Sequence, residues 1–109
     1  MGDFNSELGL RFEPDAVVLD TRPEHQVAEG LIHFAVLATM AEVAAARAVA
    51  AAVVPASVHL NLLARAAPGR LRASGALVKR GRTLSVAEGL VQQDDRVVAK
   101  ATVTFAMMA

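Results

Sequence analysis

A single carboxylate, Glu42, interrupts the alanine-rich segment from Leu31 to Val54, whose first half also carries one histidine, His33. Burying an acid among small apolar side chains costs free energy unless the protein uses it, so Glu42 is the leading candidate for a functional residue. An apolar surround would raise the pKa of its carboxyl and strengthen it as a base, while leaving it mostly ionised near neutrality. The alternative is an ordinary helix-surface acid in water.

The alanine-rich segment predicts a helix from about Phe34 to Val53, ended by Pro55. At a rise of about 1.5 Å per residue, such a helix is roughly 28 Å long. Counting about 100° per residue places Arg47 about 140° from Glu42, too far round the helix to neutralise it. Glu42 should instead share a face with small or apolar residues, namely Ala38, Thr39, Ala45, Ala46 and Val49.

Short alternating strands are expected on both sides of this helix. Before it, residues 8–12 and 16–19 flank a Glu-Pro-Asp turn, and the polar stretch 21–30 is predicted to be a loop. After it come candidate strands at 57–64, 70–79, 83–92 and 96–107, whose short connections indicate an antiparallel meander. These elements predict one α+β domain over residues 1–109, in which a curved antiparallel sheet wraps a long central helix.

Composition and charge narrow the class of protein. At 109 residues, 54% hydrophobic and a mean hydropathy of +0.40, the chain has too little interior for its apolar surface, which predicts self-association. The net charge of zero argues against nucleic acid as the main partner. No signal peptide is recognisable, and a helix holding Glu42 and Arg47 is a poor membrane span, so we expect a cytoplasmic protein without membrane contact.

The charged residues are unevenly spread along the chain. Seven of the eleven acids lie in the first thirty residues, and six of the eleven bases lie between Arg65 and Arg82. The basic stretch fits either a solvated strand face and turn or a local anion site for a phosphorylated carrier. With no cysteine, no glycine-rich phosphate loop and three scattered histidines, the sequence predicts neither a metal site nor a cofactor.

The order of elements resembles the hotdog fold, and the helix resembles the PaaI-like acyl-CoA thioesterase branch of that superfamily. That branch has a glycine, then His-Gly-Gly at the helix start, then an acid nine residues after the histidine. Gly30, His33 and Glu42 stand at these spacings. Downstream, SVHLNLLARAAPGRL is similar to a family strand that begins with Ser or Thr and ends at Pro-Gly. The tail VKRGRTLSVAEGLVQQDDRVVAKATVTF is similar to the family's final turns and strands.

The chain departs from the PaaI-like pattern at the helix start. Phe34 and Ala35 replace the two glycines, and Val27 stands where the family often has asparagine. A less characterised hotdog branch, with an aromatic-Phe-Gly-Ala start and Leu-Ala-Glu in the helix, matches HFAVLATMAE about as well.

The resemblance implies an acyl-CoA thioesterase whose active site is shared between subunits of a homodimer or a dimer of dimers. Glu42 would be the general base or nucleophile, and the backbone N–H groups of Phe34 and Ala35 would polarise the thioester carbonyl. His33 would orient the substrate or bond across the interface, unless it only donates to the backbone at the helix start. Ser57 would position the water, or be an ordinary strand serine.

Further candidates complete the predicted site. Thr39 would hydrogen-bond Glu42 or cap a helix carbonyl, and Asn61 would contact substrate or, like His59, serve as a polar sheet or interface residue. Arginines near strand ends would meet the coenzyme A phosphates: Arg65, Arg80 and Arg82, with Arg70 as a further possibility. The acyl group is not readable from the candidate pocket wall, which comprises Met40, Val43, Leu62 and Phe105.

Two other functions compete with the hydrolase. A hotdog module that binds an acyl thioester or another lipid-like ligand without turnover is favoured by Phe34 and Ala35, whereas Glu42 favours the enzyme. A dehydratase, whose relatives carry a histidine on a Phe-Pro-Gly loop, is disfavoured because Pro-Gly is absent and the spacing from His33 to Glu42 differs.

Overall fold

Residues 3–108, which the computed structural model describes, form a main helix that a short helix and short strands precede and four long strands follow. The α+β class predicted from the sequence is confirmed. The elements are α1 (Phe4–Leu8), β1 (Arg11–Glu13), β2 (Ala16–Asp20), a 3-10 turn (Pro23–His25), β3 (Gln26–Ala28), β4 (Leu31–Ile32), α2 (Phe34–Val49), β5 (Val53–Leu62), β6 (Arg70–Lys79), β7 (Leu84–Gln93) and β8 (Arg96–Met107). No helix within residues 3–108 is long and apolar enough to cross a membrane.

The six-stranded sheet is antiparallel throughout, in the order β1-β2-β6-β7-β8-β5. Strands β6, β7 and β8 form the predicted meander, but β5 pairs with β8 instead of β6, so the meander prediction is wrong for β5. As a result β5 lies at the edge of the sheet. An edge strand can accommodate Pro55 because one side of its backbone needs no ladder partner.

Helix α2 ends four residues earlier than the sequence predicts. Ala50 adopts a left-handed conformation with φ of 58° and terminates the helix at Val49. The Arg80 guanidinium donates a hydrogen bond to the Val49 carbonyl, one of the carbonyls left open at a helix end. Val53 then begins β5, so Pro55 lies inside a strand and does not stop the helix. At about 1.5 Å per residue, α2 is roughly 24 Å long.

The N-terminal predictions also need correction. Part of the predicted strand 8–12 belongs to α1, whose N-cap Asp3 accepts a 2.8 Å hydrogen bond from the Ser6 N–H and whose end is Gly9 with φ of 100°. The predicted loop 21–30 contains the 3-10 turn and β3, which pairs with β4 in a separate two-stranded ribbon. Segments this short carry too few residues to show a hydrophobic period.

Helix α2 packs against the sheet at backbone distance over two paired glycines. Gly75 of β6 and Gly89 of β7 are Cα partners across the ladder. A Cβ atom on Gly89 would stand 1.9 Å from the Ala41 carbonyl oxygen, and one on Gly75 would stand 2.0 Å from the Ala44 carbonyl oxygen. Because the two backbones meet directly, this contact fixes the face that α2 turns to the sheet.

The sheet curls around α2 until its two edges flank the same face of the helix. Phe12 of β1 and Val53 of β5 belong to opposite ends of the strand order, yet they line one groove together with Glu42. We call the strip of α2 left uncovered there the open seam; it comprises the exposed Ala35 and the half-buried Thr39, Glu42 and Ala46.

Arg47 holds the β1–β2 hairpin at one side of the open seam. Its guanidinium donates to the carbonyls of Ala16 at 2.8 Å and Glu13 at 2.7 Å. The same group lies 5.3 Å from the centre of the Phe12 ring, a cation–π distance. The hairpin edge is therefore tied to the helix on which Glu42 stands.

Replacing Gly89 with alanine should cost about 3 kcal/mol or more of unfolding free energy, because the new methyl group meets a backbone oxygen that cannot rotate away. Urea unfolding measures this loss. Ser74→Ala, next to Gly75 on the same sheet, is the control and should stay within about 0.5 kcal/mol of wild type. Wild-type stability in Gly89→Ala would contradict the backbone contact.

Candidate active site

Glu42 lies in a groove of about 440 Å³ at the open seam, which we call the Glu42 groove. Its other lining residues are Asn5, Phe12, Val43, Ala46, Arg47, Ala50, Ala51, Ala52 and Val53. As the helix periodicity predicts, Arg47 does not pair with Glu42, and no ion pair within residues 3–108 includes Glu42. Desolvation raises the pKa of the Glu42 carboxyl above its ordinary value.

His33 caps the N-terminus of α2. Its Nδ1 accepts a 3.0 Å hydrogen bond from the Ala35 N–H, and its ring stacks on Phe34 with centroids 4.8 Å apart. The side chain therefore accepts from the backbone, whereas the sequence alternative had it donating. An accepting Nδ1 carries no proton, so the neutral ring carries its proton on Nε2.

The cap changes which backbone donors remain free at the helix start. The Ala35 N–H is occupied by His33, while the Phe34 N–H makes no hydrogen bond within the described part of the chain. Of the two backbone donors predicted from the sequence, the Phe34 N–H is the one left for a ligand.

A second groove, of about 480 Å³, lies beside this helix start, and we call it the Phe34 groove. His33, Phe34 and Arg65 line it together with mostly aliphatic residues, namely Val27, Leu31, Ile32, Leu37, Leu62, Leu63, Ala64 and Ala66.

The residues predicted as one pocket wall fall in three different places. Leu62 lines the Phe34 groove and Val43 lines the Glu42 groove. Met40 and Phe105 are fully buried in the core.

His33 and Glu42 lie on opposite sides of α2. Nine residues correspond to two and a half helical turns, so the two positions are about 180° apart around the axis and about 14 Å apart along it. They accordingly line different grooves. A single protomer does not bring the Glu42 carboxylate to the N-terminus of its own helix.

Ser57 and Asn61 lie on the sheet face turned away from α2. On β8 their partners are Thr104 and Lys100, which alternate with the buried Val103 and Ala101. His59 has the same orientation, since it alternates in step with them. Within one chain, these side chains and Glu42 are therefore on different sides of the sheet.

Two alternative hydrogen bonds were predicted for the Thr39 hydroxyl, and the structure shows one of them. Its hydroxyl donates to the Ala35 carbonyl at 2.8 Å, which is the helix-capping alternative.

The candidate phosphate-binding arginines are dispersed. Arg65 lines the Phe34 groove, whereas Arg80 bonds the Val49 carbonyl at the far end of α2, and Arg82 is exposed in the β6–β7 turn. Arg70 is paired with Asp20 at 2.8 Å, and this bond, together with that from Arg11, lowers the pKa of the Asp20 carboxyl to about 2.

Sequence reasoning missed residues that the N-terminal segment brings to the site. Asn5 and Phe12 line the Glu42 groove, although they lie far from Glu42 in the chain. His25 lines neither groove but is buried near α1, with Nδ1 accepting from the Arg22 N–H at 2.9 Å and Nε2 lacking a partner within residues 3–108. No local pattern points to these positions, because only the tertiary fold brings them there.

Replacing Glu42 with glutamine should stabilise the fold near pH 7. Burial raises the pKa of the Glu42 carboxyl in the folded state. The stability that this carboxyl contributes is therefore present below the unfolded-state pKa and is lost as pH rises through the folded-state pKa. The gain should be under about 1 kcal/mol, since the side chain is half exposed, and it should vanish near about pH 4.

Urea unfolding at the two pH values measures this gain, with the exposed turn variant Asp95→Asn as control. A Glu42→Gln variant that is less stable than wild type near pH 7 would show that the carboxylate has a favourable partner.

Comparison with known proteins identifies the family. A family model described as the acyl-CoA thioesterase N-terminal domain matches residues 22–106. No curated protein matches the chain. A Mycobacterium tuberculosis protein provisionally called an esterase is 29% identical, over 96% of this chain and 95% of its own, with a TM-score of 0.87.

Two further solved structures share the fold. A phenylacetic acid degradation-related protein from Ralstonia eutropha is 22% identical over 94% of this chain and 88% of its own, with a TM-score of 0.87. A Bacillus halodurans protein solved with CoA is 21% identical over 95% of this chain and 74% of its own, with a TM-score of 0.86. These likenesses confirm the hotdog fold, and with the match over residues 22–106 the chain belongs to the acyl-CoA thioesterase family.

Proposed function

We propose that this protein hydrolyses an acyl-CoA thioester of small or medium acyl or aryl chain, at a site built from two copies of the chain. The observation that carries the proposal is the desolvated Glu42 carboxylate, which has no ion-pair partner among residues 3–108 and lies in an open groove. The family match and the solved Bacillus halodurans relative that contains CoA support the substrate class.

The chemistry requires a base and an oxyanion donor on the same carbonyl. Glu42 takes a proton from water as the water oxygen attacks the thioester carbon, and the carbonyl oxygen gains the negative charge. Collapse of this intermediate breaks the carbon–sulfur bond, releases the acid and returns the proton to the departing thiolate. If Glu42 instead attacks directly, the carbon–sulfur bond breaks, the thiolate leaves and an anhydride forms, which water then opens to release the acid and restore the Glu42 carboxylate.

The donors come from the start of α2 in the other copy. The Phe34 N–H has no hydrogen-bond acceptor within residues 3–108 and lies at the positive end of the helix dipole, where negative charge is stabilised. The His33 Nε2–H is the second donor, because the cap on Ala35 holds the proton on that nitrogen. His33 and Phe34 line the apolar Phe34 groove, which would take the acyl group.

A second copy explains two features of the surface. Edge strand β5 exposes Val54, Val58 and Leu62 to 50%, 48% and 53%, which is costly in an isolated monomer. Glu42 also needs a helix start other than its own. We therefore propose a homodimer or a dimer of dimers. In this assembly Ser57 and Asn61, on the face of β5 turned away from α2, contribute to the active site.

The remaining predicted roles belong to the same proposal. Arg65 would meet a phosphate of coenzyme A at the Phe34 groove, and Arg82 and Arg80 would do so from the β6–β7 turn of the partner. The cytoplasmic location predicted from the sequence is likewise part of the proposal.

The second candidate function is a non-catalytic module that binds an acyl thioester or lipid-like ligand. Phe34 favours it, because its half-exposed ring stands over the groove where the family has a glycine.

A panel of acyl- and aryl-CoA esters separates the two functions. The wild-type protein should hydrolyse at least one ester, and Glu42→Ala should lower kcat at least about 100-fold, because a general base contributes that much to the chemical step. Steady-state kinetics measure the effect, with Asp95→Ala, an exposed turn carboxylate, as the matched control.

Full activity in Glu42→Ala would rule out the base and nucleophile roles. Wild-type protein that accelerates no ester on the panel would leave the binding module as the function.

A further inference from the structure

Helix α1 places a polar side chain in the Glu42 groove. Asn5 is half-buried and lines the groove together with Glu42. Its backbone carbonyl accepts from the N–H groups of Gly9 at 3.2 Å and Leu10 at 3.1 Å, but its side-chain amide makes no hydrogen bond within residues 3–108. A half-buried amide with unused donors and acceptor is available to a ligand.

The short helix that carries Asn5 is held in place by contacts on both sides. The Asp3 side chain caps its N-terminus, and the Arg22 guanidinium donates to the Glu7 carbonyl at 2.7 Å. Leu8, its last residue, packs against the hydrophobic core. Because these contacts hold α1, they also fix the position of Asn5 in the groove.

Among residues 3–108, the remaining groove wall offers a ligand no other side-chain hydrogen-bond acceptor. Phe12, Val43, Val53 and the alanines are apolar, and Arg47, which donates to the carbonyls of Glu13 and Ala16, has no acceptor atom in its side chain. Among the described lining residues, Glu42 and Asn5 alone carry a side-chain acceptor for a water hydrogen. Ionised Glu42 only accepts hydrogen bonds, whereas the Asn5 amide both donates and accepts.

We propose that Asn5 is a positioning residue that holds the attacking water against Glu42. This role rests on the proposed hydrolase function. The amide oxygen of Asn5 accepts one water hydrogen while Glu42 accepts, and then removes, the other. With both hydrogens fixed, a lone pair of the water oxygen points out of the groove toward the thioester carbon brought by the partner. Orientation of this kind lowers the barrier without new covalent chemistry.

Two substitutions test the role, each with a matched control at the exposed neighbour Ser6. Asn5→Ala should lower kcat about tenfold with little change in KM, because one hydrogen bond is lost in the transition state, and Ser6→Ala should not. Asn5→Asp places a like charge beside Glu42, so carbon-13 NMR titration should show the Glu42 pKa raised, and Ser6→Asp should leave it unmoved. Thermal unfolding checks that all four variants are folded.

The titration does not depend on turnover, so it tests the proximity of Asn5 to Glu42 separately from the proposed hydrolase function. Equal Glu42 titrations in Asn5→Asp and Ser6→Asp would overturn the placement of Asn5 beside Glu42. Wild-type kcat in Asn5→Ala would overturn the water-holding role. A raised Glu42 pKa in a protein that hydrolyses no CoA ester would refute the hydrolase and the water-holding role with it, and leave the two side chains as neighbours.

Discussion

The direct contact between the backbone of α2 and the glycine pair of the sheet is the constraint on which the rest of the structure depends. With Ala41 and Ala44 pressed onto Gly89 and Gly75, the rotation of the helix about its axis is fixed. In a helix of about 3.6 residues per turn, turning positions 41, 44 and 45 to the sheet sends position 42 to the flank. The glycines thus determine that Glu42 emerges between the two edges of the sheet.

Holding the Glu42 carboxylate in this position destabilises the folded state, and other contacts in the fold must offset that loss. Desolvation raises the pKa of the Glu42 carboxyl, and the guanidinium that lines the same groove, on Arg47, donates to carbonyls of the β1–β2 hairpin. Pairing Glu42 with a cation would stabilise the fold but would weaken the carboxylate as a base. Such local conflicts between stability and chemistry are typical of active sites.

Features that local sequence determines could be predicted, whereas features that depend on contacts between residues far apart in the sequence could not. The alanine run predicts α2 and its start at Phe34, helix periodicity separates Arg47 from Glu42, and the alternation of residues 96–107 predicts β8. The helix end was missed because Ala50 and the hydrogen bond from Arg80, a residue distant in the same chain, decide it. The position of β5 was missed because pairing with β8 is a long-range choice, and that choice turns Ser57 and Asn61 away from α2. Asn5 reaches the site only through tertiary packing of α1.

The central claim is that the catalytic carboxylate and the oxyanion donor come from two different chains. Phe34→Pro deletes the backbone N–H, one of the two proposed donors, with little disturbance, since proline suits the first helical position and His33 has a ψ of 138°, which is compatible with a following proline. A purified hybrid of one Phe34→Pro chain and one Glu42→Gln chain tests the claim. Both parent homodimers should lose at least about 100-fold in kcat, whereas the hybrid should recover roughly half of wild-type kcat, because one of its two symmetric sites keeps both groups. A hybrid as inactive as its parents, with Phe34→Ala still active, would place both groups in one chain and contradict the account.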